Sequence, residues 1–445
     1  MNHLCRPPRL VRTHLPAWLI ASLMSSLAAT AAWAAPLSDG PIAPAAPAAA
    51  GDAGPGQAAY RRGIEAMARN DGKAAEQAFR EALGQDPKSV AAMLGLSELS
   101  FLAKKVDDAG NWINQALKAA PNNAQALAAR GRFLVVKGNL KEAEQALRQA
   151  IDLDKSAFRP RIDLADMLLS RGDAAAAVPL YREAVALQPD HAGAHYGLGQ
   201  ALLQTQAAPA AAEAFNRAIA LAKNNPLPWV GLARAERARQ QLDAALAAVD
   251  KALEIQPSLM EALLLKGDLA DVKGQPDVAL KAFARAAQAD PKLALPHLRS
   301  GMIEQQRGRL DAATTAYQRA LSADPQQATA LNNLAGIHLE RKQHLDEAEA
   351  LAQRAVGLQP KAAQFQDTLG MVQRARGNLR AATTSLQLAA KLAPKDPMIQ
   401  YHLGQALADA GDKPAARKAL QEALRLAPDF PAAADAKQML ATLGG

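Results

Sequence analysis

The sequence predicts an all-α solenoid in which eleven two-helix units follow one another over residues 56–430. A short sequence pattern recurs every 34 residues: an alanine, an apolar residue and, five residues after the alanine, usually a proline. The eighth residue of every unit is small, and the twentieth is alanine in all eleven units. With only 4% aromatic residues, the chain also suits closely packed helices better than several bulky cores.

The first 34 residues are typical of an export signal. Three arginines precede an apolar stretch that ends in Ala32-Trp33-Ala34, the small-x-small pattern that a signal peptidase cleaves. We therefore expect a Sec-type signal peptide over 1–34 and a mature protein that is periplasmic or otherwise exported. The alternative is an inner-membrane anchor, because about 18 mostly apolar residues can just cross a bilayer.

Residues 35–55 are rich in alanine, proline and glycine and predict a flexible linker. The only cysteine, Cys5, precedes the apolar stretch, where it cannot be the lipidated residue of a lipoprotein. A single cysteine also excludes an intramolecular disulfide, a zinc knuckle and an iron–sulfur site. A net charge of +8 on 445 residues is too small to indicate nucleic-acid binding.

Each unit is predicted to be a helical hairpin. In the third unit, Leu140, Ala143 and Leu147 fall on one face of a helix, and Gly138 precedes that helix where a left-handed residue can form the turn. Pro121 shows how the turn after a second helix is made. Small residues at positions 8 and 20 let the paired helices approach closely. One hairpin buries too little surface, so stacking on its neighbours supplies the core.

This pattern resembles the tetratricopeptide repeat: a small residue at position 8, alanines at 20 and 27, an aromatic or apolar residue at 24 and proline at 32. The aromatic residues at position 24 are Phe79, Tyr181, Phe215, Phe283 and Tyr317. The resemblance covers about five-sixths of the chain. It implies a right-handed superhelix whose concave wall is formed by the first helix of each unit, with positions 2, 5, 9 and 12 facing a ligand.

Two features complete the predicted array. The ninth unit carries one extra residue in the turn over 341–345, where a helical hairpin accepts an insertion at little cost. Residues 431–445 predict one more helix, which would cap the end of the array.

The expected concave wall is mostly apolar at position 5 and mixed in charge at position 9. Such a wall suits an extended peptide or a partner helix. The candidate groove-binding residues are Tyr60, Tyr196, Gln200, Arg234, Arg237, Asn332, Asn333, Asp367 and Tyr401. Four apolar residues at position 5 could instead pack between adjacent first helices: Leu94, Ile162, Val230 and Leu264.

His191 and His195, beside Asp190, have a spacing that could place two imidazoles on one helical face for a metal ion. His191 belongs to the turn between units and His195 to position 4 of the next unit, so packing or solvent exposure is the favoured interpretation. The sequence contains neither a nucleophile elbow nor a phosphate-binding glycine loop. We therefore predict no enzyme, no cofactor and no metal site.

These observations favour a non-enzymatic protein-interaction scaffold of the cell envelope that binds peptides or helices of one or more envelope proteins. Residues 331–335 and 401–404 are similar to exported bacterial tetratricopeptide proteins linked to exopolysaccharide assembly or protein sorting. The alternative is a polysaccharide-binding accessory protein of an exopolysaccharide export system, although few aromatic residues are present to stack on sugars. No nucleic-acid partner is expected, and membrane contact is expected only through an uncleaved leader.

Overall fold

The computed structural model describes residues 54–444, and within them it contains 23 α-helices and no strand. The predicted all-α fold of consecutive hairpins is confirmed. The predicted signal peptide and nearly all of the predicted linker lie outside the described residues. The hairpins are called repeats from here on, and the word unit is kept for the two compact parts of the chain. The first unit comprises residues up to Lys223, and the second unit comprises residues from Asn224 onward.

The first unit contains five hairpins, each a first helix followed by a second helix. Its helices are α1 Gln57–Ala68, α2 Gly72–Gln85, α3 Val90–Leu102, α4 Val106–Ala119, α5 Ala124–Val136, α6 Leu140–Leu153, α7 Phe158–Ser170, α8 Ala174–Leu187, α9 Ala192–Gln204 and α10 Ala208–Leu221.

The second unit contains six hairpins and a final single helix. Its helices are α11 Pro226–Ala238, α12 Leu242–Ile255, α13 Met260–Val272, α14 Pro276–Ala289, α15 Ala294–Gln306, α16 Leu310–Ala323, α17 Ala328–Glu340, α18 Leu345–Leu358, α19 Ala363–Ala375, α20 Leu379–Leu392, α21 Pro397–Asp409, α22 Lys413–Leu426 and α23 Ala433–Leu443.

The turn inside every hairpin depends on one left-handed residue at position 15. A residue with positive φ reverses the chain after a helix and is least costly when it is glycine. Six hairpins place glycine there, and the other five use Asn70, Lys104, Gln206, Gln240 and Lys342. The ninth hairpin has a second left-handed residue, His344 with φ 51°, which accommodates the extra residue that the sequence places in this turn.

The two helices of a hairpin meet at the small residues, as the repeat pattern predicts. The alanine at position 20 is 0% exposed in all eleven hairpins. A Cβ atom built on Gly63 would lie 2.4 Å from the ring of Phe79, and one built on Gly131 would lie 2.5 Å from Leu147. Position 8 therefore packs directly against position 24 of the same hairpin, and larger residues there would push the helices apart.

The last helix, α23, packs on α22 and covers the end of the second unit. Phe430, Ala433 and Ala436 form one cluster of buried residues with Tyr401 and Leu420 from the last hairpin. Among the helices of the described residues, none is both long and apolar enough to cross a bilayer.

Candidate partner-binding wall

Neighbouring first helices contact each other directly within each unit. In the first unit these contacts join α1 to α3, α3 to α5, α5 to α7 and α7 to α9. In the second unit they join α11 to α13, α17 to α19 and α19 to α21. We call the side chains at positions 2, 5, 9 and 12 of these helices the first-helix wall, and each unit has its own.

The apolar part of the wall is mostly closed. Val230 is 1% exposed, Leu298 7% and Ile162 8%. Leu94 and Leu264 are half-buried. Ile162 and Val230 therefore follow the packing interpretation, whereas Leu94 and Leu264 still offer part of their surface.

Tyr60 is a core residue of the first hairpin. Only 4% of it is exposed, and its ring centroid lies 5.8 Å from that of Phe79. Burial raises the pKa of Tyr60 to about 12. A ligand could reach little of this side chain, so we exclude Tyr60 from the candidate site. The sequence pattern misplaced it because position 5 of the first helix turns inward here.

Tyr401 is also buried, and the cause is the final helix α23. It is 7% exposed, its hydroxyl donates a hydrogen bond to the carboxylate of Asp435, and Gln405 donates to the same hydroxyl at 2.5 Å. Its ring lies 5.8 Å from that of Phe430. Burial and the bond to Asp435 raise the pKa of Tyr401 to about 12. The expected ligand position is thus occupied by the chain itself.

Tyr196 and Gln200 lie one turn apart on α9 and are brought together. The amide nitrogen of Gln200 donates to the hydroxyl of Tyr196 at 3.0 Å, and both residues are half-buried. The Tyr196 ring lies 5.8 Å from that of Phe215. The Tyr196 ring packs against Phe215 of the same hairpin, and the exposed part of both side chains lies on the wall of the first unit.

Arg234 and Arg237 lie three residues apart on α11, at the start of the second unit. The guanidinium of Arg234 is 2.7 Å from the carboxylate of Glu261 on α13, and the two side chains are 42% and 39% exposed. Arg237 is exposed. Farther along the second unit, the wall residue Asp268 lies 3.5 Å from Arg299 of α15, and the pKa of Asp268 is raised mainly by burial.

Asn332 and Asn333 on α17 have different surroundings. Asn333 donates to the hydroxyl of Tyr317 at 3.1 Å, and that hydroxyl donates to Gln305 at 2.7 Å. Asn332 contacts Asn333 at 3.4 Å, and its amide oxygen is buried without a hydrogen-bond partner among the described residues. Asn333 is therefore part of a hydrogen-bond chain that links three helices, whereas Asn332 keeps an unused acceptor.

Asp367 forms a pair that the sequence analysis did not foresee. Both of its carboxylate oxygens lie close to Nδ1 of His402, at 2.9 and 3.0 Å. One turn beyond His402, Gln405 accepts from Arg374 at 3.0 Å, and Arg374 also lies 2.6 Å from Asp409. These polar residues join α19 to α21 across the wall.

The first unit also contains a charged group outside the predicted candidate residues. Arg132 lies 3.9 Å from Glu98 and 3.8 Å from Asp163, and Asp163 accepts from Arg159 at 2.9 Å. Asp166, one turn farther along α7, accepts a hydrogen bond from the buried Tyr181 hydroxyl, and desolvation of its carboxylate is the main cause that raises its pKa to about 6. The sequence feature that could have indicated this group is the opposite charge of Glu98 and Arg132, which both occupy position 9 of successive repeats.

The two histidines considered for metal binding have backbone contacts instead. His191 Nδ1 accepts from the Ala194 amide at 2.9 Å and thereby caps the N-terminus of α9. His195 is 8% exposed, and its Nε2 lies 2.8 Å from the carbonyl oxygen of Pro189. Across residues 54–444, no three histidine, cysteine or acidic side chains are placed to hold a metal ion together.

The solved structures that match this chain share low identity with it. A chain of the APC/C hetero-tetramer Cut9-Hcn1 is 14% identical, with 87% of this chain and 96% of that chain covered and a TM-score of 0.45. Yeast Tom70 is 15% identical, with 87% and 95% covered and a TM-score of 0.40. YrrB, described as a TPR protein with an unusual peptide-binding site, is 24% identical, with 43% and 98% covered and a TM-score of 0.36.

No curated protein matches the chain. Family models for the tetratricopeptide repeat match it in consecutive segments over most of the array. The matched residues are 66–133, 113–158, 162–226, 230–294, 298–363 and 368–431. The chain therefore belongs to the tetratricopeptide repeat family.

Proposed function

We propose that this protein is a non-enzymatic interaction scaffold of the cell envelope, and that it binds a peptide or helix of a partner protein on the first-helix wall. The tetratricopeptide repeat fold generally mediates protein–protein interactions. The proposal of an envelope location is supported by the basic and apolar leader that ends at Ala34.

The observation that carries the binding proposal is the surface at the start of the second unit. Arg234 is half-buried on α11 and reaches Glu261 on the neighbouring α13. Arg237 has an exposed side chain, although partial burial of its guanidinium lowers its pKa. Leu264, one turn beyond Glu261, is half-buried. Two cations beside a partly open apolar side chain suit a segment with an apolar anchor and nearby acidic residues.

The existing ion pair does not block this role. Both Arg234 and Glu261 are about 40% exposed, and pairs of that kind contribute roughly 0–1 kcal/mol. A partner carboxylate can therefore replace Glu261 at little cost. Arg237 has no ion pair among the described residues, so a carboxylate bound there breaks none.

The test uses the full-length protein, expressed with its own leader, and a variant with Arg234→Ala and Arg237→Ala. Chemical cross-linking in the intact envelope, followed by mass spectrometry, identifies the partner protein, and its recovery with the variant should fall by about tenfold. The reason is the loss of two cations that would pair with acidic residues of the bound partner.

The matched control is Arg417→Ala with Lys418→Ala on the second helix α22, where both residues are exposed. This pair removes the same charge and should leave the cross-linked partner unchanged. Equal loss from both pairs would overturn the wall as the binding surface. Recovery of bound polysaccharide without any cross-linked protein would overturn the scaffold itself.

A further inference from the structure

A pocket of about 500 Å³ lies between the second helices α14 and α16, with α15 between them. Phe283, Ala284 and Ala287 line it from α14, and His297 and Glu304 line it from α15. None of these residues belongs to the first-helix wall. The pocket is therefore a separate feature of the second unit.

The pocket exists because the seventh repeat has small side chains where the others have large ones. Position 28 is leucine, isoleucine or valine in nine of the eleven repeats, but it is Ala287 here and Ala390 in the tenth repeat. Position 25 is Ala284, whereas each of the other ten repeats has arginine, asparagine, glutamine or aspartate there. The seventh repeat alone is small at both positions, so the surface pocket is open at the exposed Ala284 and the half-buried Ala287.

One acceptor inside this apolar pocket is unsatisfied. The Glu304 side chain is 14% exposed, and its Oε2 is buried without a hydrogen-bond partner among the residues that the structure describes. Its nearest cation is Arg309, at 3.6 Å, which is beyond hydrogen-bond distance. A buried carboxylate oxygen without a hydrogen-bond donor is unfavourable, so a ligand that brings a donor is favoured.

The polar residues at the pocket point to the charge of the ligand. Arg319 is exposed, and none of the described residues forms an ion pair with it. His297 lines the same pocket. A cationic ligand would meet Arg319, and an anionic group inside the pocket would meet Glu304. A ligand that places a neutral hydrogen-bond donor in the pocket and an acidic group at the surface would complement Glu304 and Arg319, respectively.

We propose that this pocket receives a tyrosine side chain of a partner protein, with the ring against Ala284 and Ala287 and the hydroxyl donating to Glu304. An aromatic side chain is large enough to use the space that these two alanines leave. The volume is within the range of ligand pockets, about 300–1,000 Å³. An acidic residue beside the tyrosine then pairs with Arg319 at the surface.

The experiment uses two synthetic peptides as probes, acetyl-Glu-Tyr-Glu-amide and acetyl-Glu-Phe-Glu-amide, which differ by one hydroxyl group. Binding to the full-length protein is followed by methyl NMR of alanine and leucine. We expect millimolar binding of the tyrosine peptide and at least about tenfold weaker binding of the phenylalanine peptide, since the hydroxyl supplies the missing donor.

Two variants locate the site. Ala287→Leu restores the kind of side chain that nine other repeats carry, so it should fold and abolish binding of the tyrosine peptide. Ala390→Leu is the same change in the tenth repeat and should leave binding unchanged. Glu304→Leu should remove the preference for tyrosine over phenylalanine.

Several results would overturn the proposal: no binding of either peptide, equal binding of both to the unmodified protein, or binding that survives Ala287→Leu. Tighter binding of acetyl-Glu-Lys-Glu-amide would show a site for cations instead. This test is independent of the first-helix wall, because Arg234→Ala with Arg237→Ala should leave peptide binding at this pocket unchanged.

Discussion

The phenolic hydroxyl of Tyr181 on α8 donates a hydrogen bond to the carboxylate of Asp166 on α7. Tyr181 is the position-24 aromatic of its hairpin and is 1% exposed, whereas Asp166 belongs to the first-helix wall. The pair therefore connects the hairpin core to the surface. The pKa of Asp166 is raised to about 6, chiefly by desolvation. The hydrogen bond from Tyr181 and the charges of Arg159 and His191 oppose this rise, and the charge of Asp163 adds to it.

We predict that Asp166 makes the fourth hairpin less stable as pH rises from about 4 to 7. In that range the folded protein holds a proton that the unfolded chain has already released, so stability falls with increasing pH. Asp166→Asn keeps an acceptor for Tyr181 and cannot ionise. Hydrogen exchange in α7 and α8 should show that the variant gains protection relative to the unmodified protein at pH 7 but not at pH 4.5. An equal difference at both pH values would contradict this prediction.

A glycine at position 8 should tolerate no side chain. A Cβ on Gly199 would lie 2.7 Å from the Phe215 ring, so Gly199→Ala should destabilise the fifth hairpin by about 1–3 kcal/mol. Gly336→Ala is the matched control, because Gly336 lies inside α17 with nothing within 4 Å of its Cβ position. It should stabilise by about 0.5–1 kcal/mol through helix propensity. Local hydrogen exchange measures both, and the same sign for the two changes would rule out the close approach.

Glycine should be the more stable choice at the left-handed turn position of a hairpin. Gly138 has φ 79°, and Gly138→Ala should cost about 1 kcal/mol although no atom lies within 4 Å of its Cβ position. Gln206 has φ 62°, and Gln206→Gly should relieve strain of the same kind and raise stability by less than about 1 kcal/mol. Exchange rates in the helices on either side of each turn report the change. A loss of protection in the Gln206 variant would mean that its side chain contributes more than the strain removes.

The mature protein should begin near Ala35, because Ala32-Trp33-Ala34 is the predicted cleavage site. N-terminal sequencing and intact mass of the protein from the envelope fraction decide this. Retention of Met1 would show an uncleaved anchor. Cys5→Ser should leave fractionation unchanged, and a shift of that variant into the soluble fraction would instead indicate lipidation.

The period of 34 residues predicted the hairpins and their small contact residues, because the packing between paired helices recurs in each repeat. It could not predict which wall residues stay open. Position 5 is open in part at Leu264 and closed at Val230 because exposure depends on how closely the next first helix approaches. The repeat pattern could not predict the pairing of Asp367 with His402 either, since this contact joins position 5 of one repeat to position 6 of the next.

The final prediction concerns the cover over Tyr401. Its hydroxyl bonds to Asp435, and Asp435 occupies the place that position 5 of a twelfth repeat would have, 34 residues after Tyr401. The helix α23 thus replaces the next hairpin on the exposed end of the array. Asp435→Ala removes the acceptor and should cost about 1.5–3 kcal/mol, the usual value for a hydrogen bond to a charged group.

The loss should be confined to the end of the second unit, because each repeat is stabilised by its immediate neighbours. Hydrogen exchange should therefore rise in α21, α22 and α23 and stay unchanged from α11 to α17. Asp429→Ala is the matched control, since Asp429 is exposed just before Phe430, and it should change little. An equal rise in exchange for both variants, or a rise spread over the whole second unit, would show that the Tyr401–Asp435 bond does not hold the cap in place.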